Sequence, residues 1–104
     1  MALTREFKQT VVERAQADTE FRRAMLEEAV NQLLGGDVAM GKMLLRDTVN
    51  ATIGFTVLGT ELGKSPKSLM RMLSEDGNPR AENLFAILAA LQVREGVRLE
   101  AHAA

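Results

Sequence analysis

The sequence predicts an all-α domain of five or six helices, and three observations carry that prediction. Apolar residues recur every three or four positions, the period of a helix with one buried face. Aromatic residues make up only 4% of the chain, with four Phe and no Trp or Tyr, so Leu, Met, Val and Ala must fill the core. Helix punctuation is frequent: Asp18, Asp37, Ser65-Pro66 and Asn78-Pro79 read as starts, Gly35-Gly36 and Gly63 as stops. At 104 residues and 46% hydrophobic content the chain suits one domain with one core. It divides into an N-terminal helix or arm (1–17), a helical body (18–92) and a C-terminal strand or tail (93–104).

Each element has its own justification. Leu3, Phe7 and Val11 share one face of a first helix over residues 3–15; a frayed arm is the other reading. Asp18 caps a second helix reaching Leu34, with Phe21, Met25, Val30, Leu33 and Leu34 as its inner face. Arg22, Arg23, Glu27 and Glu28 are expected outside, Arg23 and Glu27 as an i,i+4 pair. Gly35-Gly36 ends this helix, because Gly adopts the left-handed cap conformation without steric cost. Asp37 caps a third helix over 38–50, with Met40, Met43, Leu44 and Leu45 on its apolar side. Gly41 costs that helix about 1 kcal/mol relative to Ala and is expected either to mark a close helix contact or to mean nothing. Asn78-Pro79 opens the last helix, 79–92, with a stripe of Leu84, Ile87, Leu88 and Leu91 widened by Ala81 and Phe85. Residues 96–100 alternate apolar and polar, which admits a short strand paired across a dimer or a disordered tail.

Between the third helix and the last lie two short helices, 55–62 and 66–73, joined by a tight turn at Gly63-Lys64. Ser65 is a good N-cap and Pro66 a good first helical residue. Leu58, Leu62, Leu69, Met72 and Leu73 can meet on one side, leaving Lys67, Ser68 and Arg71 on the other. A short polar helix propped on an apolar partner is what a helix-turn-helix needs to enter a major groove. Charge follows the same division. Lys64, Lys67, Arg71 and Arg80 outnumber Glu75 and Asp76 in this region, whereas Glu13, Asp18, Glu20, Glu27, Glu28 and Asp37 load the first part of a chain of net charge −1. The candidate DNA-binding residues are Ser65, Lys67, Ser68 and Arg71, with Lys64, Asn78 and Arg80 on the flanks. Arg71 suits guanine, each such pair discriminating by about 1–3 kcal/mol. Ser and Lys can serve base edges or phosphates, and backbone N–H groups at the helix start and at Asn78 can meet phosphates.

The spacing of Leu58-Gly59, Gly63 and residues 69–72 resembles the phage-repressor-like (XRE-type) helix-turn-helix regulators. The string LGKSPKSLMRMLSEDGNPRAENLFAIL, preceded by GGDVAMGKMLLRDTVNATIGF, is similar to addiction-module antidote proteins, the antitoxins of toxin-antitoxin systems. The resemblance covers about residues 18–100. It departs from the family at Lys64, where an apolar residue is usual, and at Gly59, where Ala is commoner. It implies a lambda-repressor-like fold, transcriptional repression of a shared operon, and a small ribonuclease-like toxin as partner.

Enzyme chemistry finds little footing. A single His, His102, near the chain end cannot anchor a His-based triad or a zinc site, and no Cys supplies a thiolate. The adjacent pairs Glu27-Glu28 and Glu75-Asp76 read as solvated carboxylates. Gly35-Gly36 lacks the lysine of a phosphate-binding loop. No cofactor or metal is expected. The opening residues lack the apolar core of a signal peptide and no run has membrane-spanning length, so the expectation is a cytoplasmic protein without a membrane partner. Because one short helix reads few base pairs, a homodimer on double-stranded DNA is expected, its two helices about 34 Å apart or a multiple of that. The alternative is a helical protein-interaction adaptor that has lost DNA binding.

Overall fold

The computed structural model describes residues 5–104, so Leu3 lies outside the described residues. They form six α-helices: α1 (Arg5–Ala17), α2 (Thr19–Leu34), α3 (Val38–Ala51), α4 (Gly54–Leu62), α5 (Pro66–Met72) and α6 (Ala81–Glu95). The all-α prediction holds, and α2, α3 and α5 start at the cap residues the sequence marks. Asp18 accepts the Phe21 N–H at 3.1 Å and Asp37 the Met40 N–H at 3.0 Å, each satisfying a first-turn donor. α2 stops where the Asp37 N–H reaches back to the Gln32 carbonyl at 2.8 Å, with Gly36 left-handed at φ 89°.

The α2–α3 hairpin is the most extensively packed helix pair. Gly41 explains how closely it packs: a Cβ there would lie 2.5 Å from the Leu33 side chain and 3.3 Å from the Ala29 carbonyl. The glycine therefore marks helix contact. The main core joins Leu26, Leu45, Val49, Leu58, Leu69, Ile87 and Leu91, drawn from α2 through α6. α1 adds a satellite cluster in which Ala15, Met25 and Ala51 are buried under Val11 and Phe21. Arg14 stacks over the Phe21 ring at 4.6 Å.

Several expectations need correction. Leu34 is 69% exposed and Met40 38%, because Leu26, Ala29, Leu45, Thr48 and Val49 supply the hairpin's buried faces instead. Phe7 is 53% exposed; α1 turns Val11 and Ala15 inward. Arg22 does not face out. Its Nε lies 2.7 Å from Glu95, and its two other nitrogens bond the Ala15 and Gln16 carbonyls and the Thr19 hydroxyl. Arg23 donates to the Glu95 carbonyl at 3.2 Å rather than pairing with Glu27. These bonds join the ends of α1, α2 and α6. Phe85 does not widen the buried stripe of α6; it is 65% exposed. α6 starts later than expected, at Ala81, with Arg80 and not Asn78 in the cap position.

No strand forms among the described residues. Gly96 is left-handed (φ 64°) and the Val97 N–H returns to the Gln92 carbonyl at 3.0 Å, a cap that reverses the chain. Leu99 then donates to the Gln92 side chain at 2.9 Å, and Val97 and Leu99 pack on the core. The alternation seen in residues 96–100 is thus an extended strap with one side inward. No described helix is long and apolar enough to cross a membrane.

Candidate nucleic-acid interface

α4 and α5 are the two short helices expected around the turn. Gly63 is left-handed at φ 66°, and the Lys64 N–H closes the turn on the Gly59 carbonyl at 2.9 Å. Gly59 is required here. A Cβ would fall 2.5 Å from the Lys64 carbonyl oxygen and 3.4 Å from the Pro66 ring. The commoner Ala would therefore press on the turn itself. Ser65 caps α5 by accepting the Ser68 N–H at 3.1 Å, and Pro66 follows as the first helical residue. Leu58, Leu69 and Leu73 are buried, with Leu62 and Met72 packed against them, so the apolar side of the pair is clamped as the spacing predicts.

The opposite side of α5 is open. Ser65, Lys67, Arg71, Asn78 and Arg80 are exposed, while Lys64 and Ser68 are half-buried. Ser68, Arg71 and Asn78 come together around a hollow of about 270 Å³, with Met72, Asp76, Gly77 and Pro79 completing its rim. Lys64 and Arg80 do not line it. Ser65 has committed its acceptor to the cap, which leaves its hydroxyl proton as the group it can offer a phosphate. Asp76 places one carboxylate among the cations, so the face is basic at its Lys67–Arg71 side and mixed at its far rim.

Two residues of this region escaped the sequence reading. Met70 is 46% exposed between Lys67 and Arg71 on the open side, where a thioether can meet a thymine methyl. Its position three residues after Lys67 was the available signal. The other is Lys42 of α3, which is only 5% exposed. Its ammonium donates to the carbonyls of Ser74 at 2.9 Å, Glu75 at 3.3 Å and Gly77 at 2.6 Å. A buried cation with three oxygen partners is satisfied, and these carbonyls follow the negative end of α5. Lys42 thereby ties the loop after α5 to the hairpin. Gly77 fits tightly under the same loop: a Cβ there would be 2.2 Å from the Arg71 carbonyl oxygen. That close approach, not a positive φ, is why glycine stands at 77, since its φ is not among the positive ones.

Among the described residues, no cluster of acidic or His side chains could hold a metal ion. Compared with known proteins, the chain matches no family model, no curated protein and no solved structure.

Proposed function

We propose that the protein is a sequence-specific DNA-binding regulator that uses α4 and α5 as a helix-turn-helix within a lambda-repressor-like domain. The observation that carries this reading is the open face of α5. Lys67 and Arg71 are exposed on a helix whose other side is held by Leu58, Leu69 and Leu73. The roles divide by chemistry. Arg71 and Met70 meet base edges; Lys67, Ser65, Lys64 and Arg80 meet phosphates; Ser68 and Asn78 bridge the two from the hollow. Two copies on a pseudo-palindrome supply the specificity that one short helix lacks. The resemblance of residues 18–100 to addiction-module antidotes adds repression of the protein's own operon and neutralisation of a small toxin. Its support is the sequence strings alone, and co-purification of the neighbouring gene product is its test.

The second reading, a protein-interaction adaptor, is favoured by the net charge of −1. Titration with salt separates the two. Roughly eight phosphate contacts give a log–log slope of affinity against salt near −7. An adaptor shows no affinity above background at physiological salt. Arg71→Ala then reports base reading: it is expected to cost about 1–3 kcal/mol on the selected operator and little on random DNA. Equal losses on both would show that Arg71 touches only backbone.

A further inference from the structure

The hollow beside α5 holds a residue that phosphate contact cannot use. Asp76 lines it together with Ser68, Arg71 and Asn78, and Asp76 is exposed. Neither the Asp76 nor the Arg71 side chain has a hydrogen bond or ion pair within the chain, although both face the same hollow. The loop that presents Asp76 is firmly held. The Lys42 ammonium donates to the carbonyls on both sides of it, Glu75 at 3.3 Å and Gly77 at 2.6 Å. The Gly77 N–H donates to the Ser74 carbonyl at 3.0 Å, and the Ser74 hydroxyl to the Arg71 carbonyl at 2.7 Å. The backbones that carry the carboxylate and the guanidinium are therefore locked together, while the two charges stay apart.

We infer that Asp76 is a specificity-determining residue: with Arg71 it reads one G·C base pair in the major groove, Arg71 on the guanine and Asp76 on the cytosine. The inference rests on the DNA-binding reading and deepens it. An ionised carboxylate carries acceptors only. Phosphate oxygens, guanine N7 and O6 and thymine O4 are acceptors too, so none of them can partner Asp76. The donors in that groove are the amino groups of adenine and cytosine. Adenine sets N7 beside its amino group, where it meets a carboxylate with no proton between them. Cytosine offers its N4 amino group alone. Across a G·C pair the order is acceptor, acceptor, donor. A guanidinium with a carboxylate beside it presents the complement, two N–H donors and then an acceptor. An ion pair between Arg71 and Asp76 would consume those same atoms, and the structure has none. The carboxylate also repels the phosphates of every sequence alike, so it weakens non-specific binding and sharpens the preference for the cognate pair.

Selection of sites from a pool of random duplexes, followed by titration of the full chain with modified sites, tests this. The selected site should contain a G·C pair whose two bases respond to different variants. N4-methylcytosine in that pair keeps the guanine edge and replaces the amino proton that Asp76 accepts. Wild type is expected to lose about tenfold in affinity on it, and Asp76→Ala to be indifferent. Deazaguanine lacking N7 in the same pair should weaken wild type and leave Arg71→Ala unaffected. Asp76→Ala should also bind random DNA more tightly than wild type, because a charge that repels phosphate is gone. Asp76 is exposed, so this variant is expected to melt with wild type. Wild type that ignores N4-methylation at every cytosine of its site overturns the inference and leaves the DNA reading standing. So does Asp76→Ala that stays as sensitive as wild type, or a pair of sensitivities that fall on different base pairs. A wild type that selects no site at all removes the DNA reading and the inference with it.

Discussion

Lys42 shows how far a single side chain can act from where it stands. Its acceptors lie 32 to 35 residues along the chain, and all are backbone carbonyls. Nothing in the string AMGKMLL marks it, because the partners of a lysine that binds carbonyls leave no trace in residue type. That is why the periodicity of the third helix, which names Met40 and Met43, passes over it. Lys42→Met keeps the volume of the stem and removes three donors' worth of bonding. It is expected to destabilise the protein by about 2–3 kcal/mol, seen as a lower denaturation midpoint, because the stranded carbonyls keep their desolvation cost. Hydrogen exchange should accelerate first in residues 74–77. If exchange instead rises evenly across all helices, Lys42 has a global role and no special hold on the loop. Ser65, Asp18 and Asp37 are the opposite case. Their partners are three residues away, so the caps were legible from sequence and formed as expected.

At the scale of elements, the glycines separate two kinds of legibility. Gly63 and Gly36 stop helices by a left-handed backbone, a local property that sequence conveys. Gly41, Gly59 and Gly77 exist for what passes close by, and only coordinates reveal the neighbour. Gly77→Ala is therefore expected to be worse than Gly59→Ala. Its Cβ would meet two backbone oxygens of α5, Arg71 at 2.2 Å and Met72 at 2.6 Å, whereas the clash at Gly59 involves one turn carbonyl at 2.5 Å. Overpacking of this kind costs about 1–3 kcal/mol, and thermal melts of the two variants rank them. The reverse order would mean that residues 74–77 yield more easily than the turn. The last segment failed in a different way. Alternation over residues 96–100 is shared by a strand and by any extended chain lying on an apolar surface, so the pattern identified the inward residues, Val97 and Leu99, but not the element.

At the scale of the molecule, helix number and the apolar packing of α4 on α5 were readable because they depend on periodicity and caps. The closure of the fold was not, because it depends on the ion pair of Arg22 and Glu95. Arginine and glutamate at those positions look like surface residues, yet the Glu95 side chain is 4% and the Arg22 side chain 20% exposed. Glu95→Ala leaves a cation with a half-buried guanidinium and is expected to cost about 3 kcal/mol, at the low end for a buried pair because Arg22 keeps its carbonyl partners. Urea titration measures it, and a loss under 1 kcal/mol would place the pair with ordinary surface bridges. The 73-position separation of these two partners along the chain also sets a timetable. On a ribosome adding about 5–20 residues per second, Arg22 waits roughly 4–15 seconds for its carboxylate to be synthesised, and longer for it to leave the exit tunnel. Until then the hairpin of α2 and α3 stands without its clasp, and the nascent chain is open to proteases and chaperones through most of its birth.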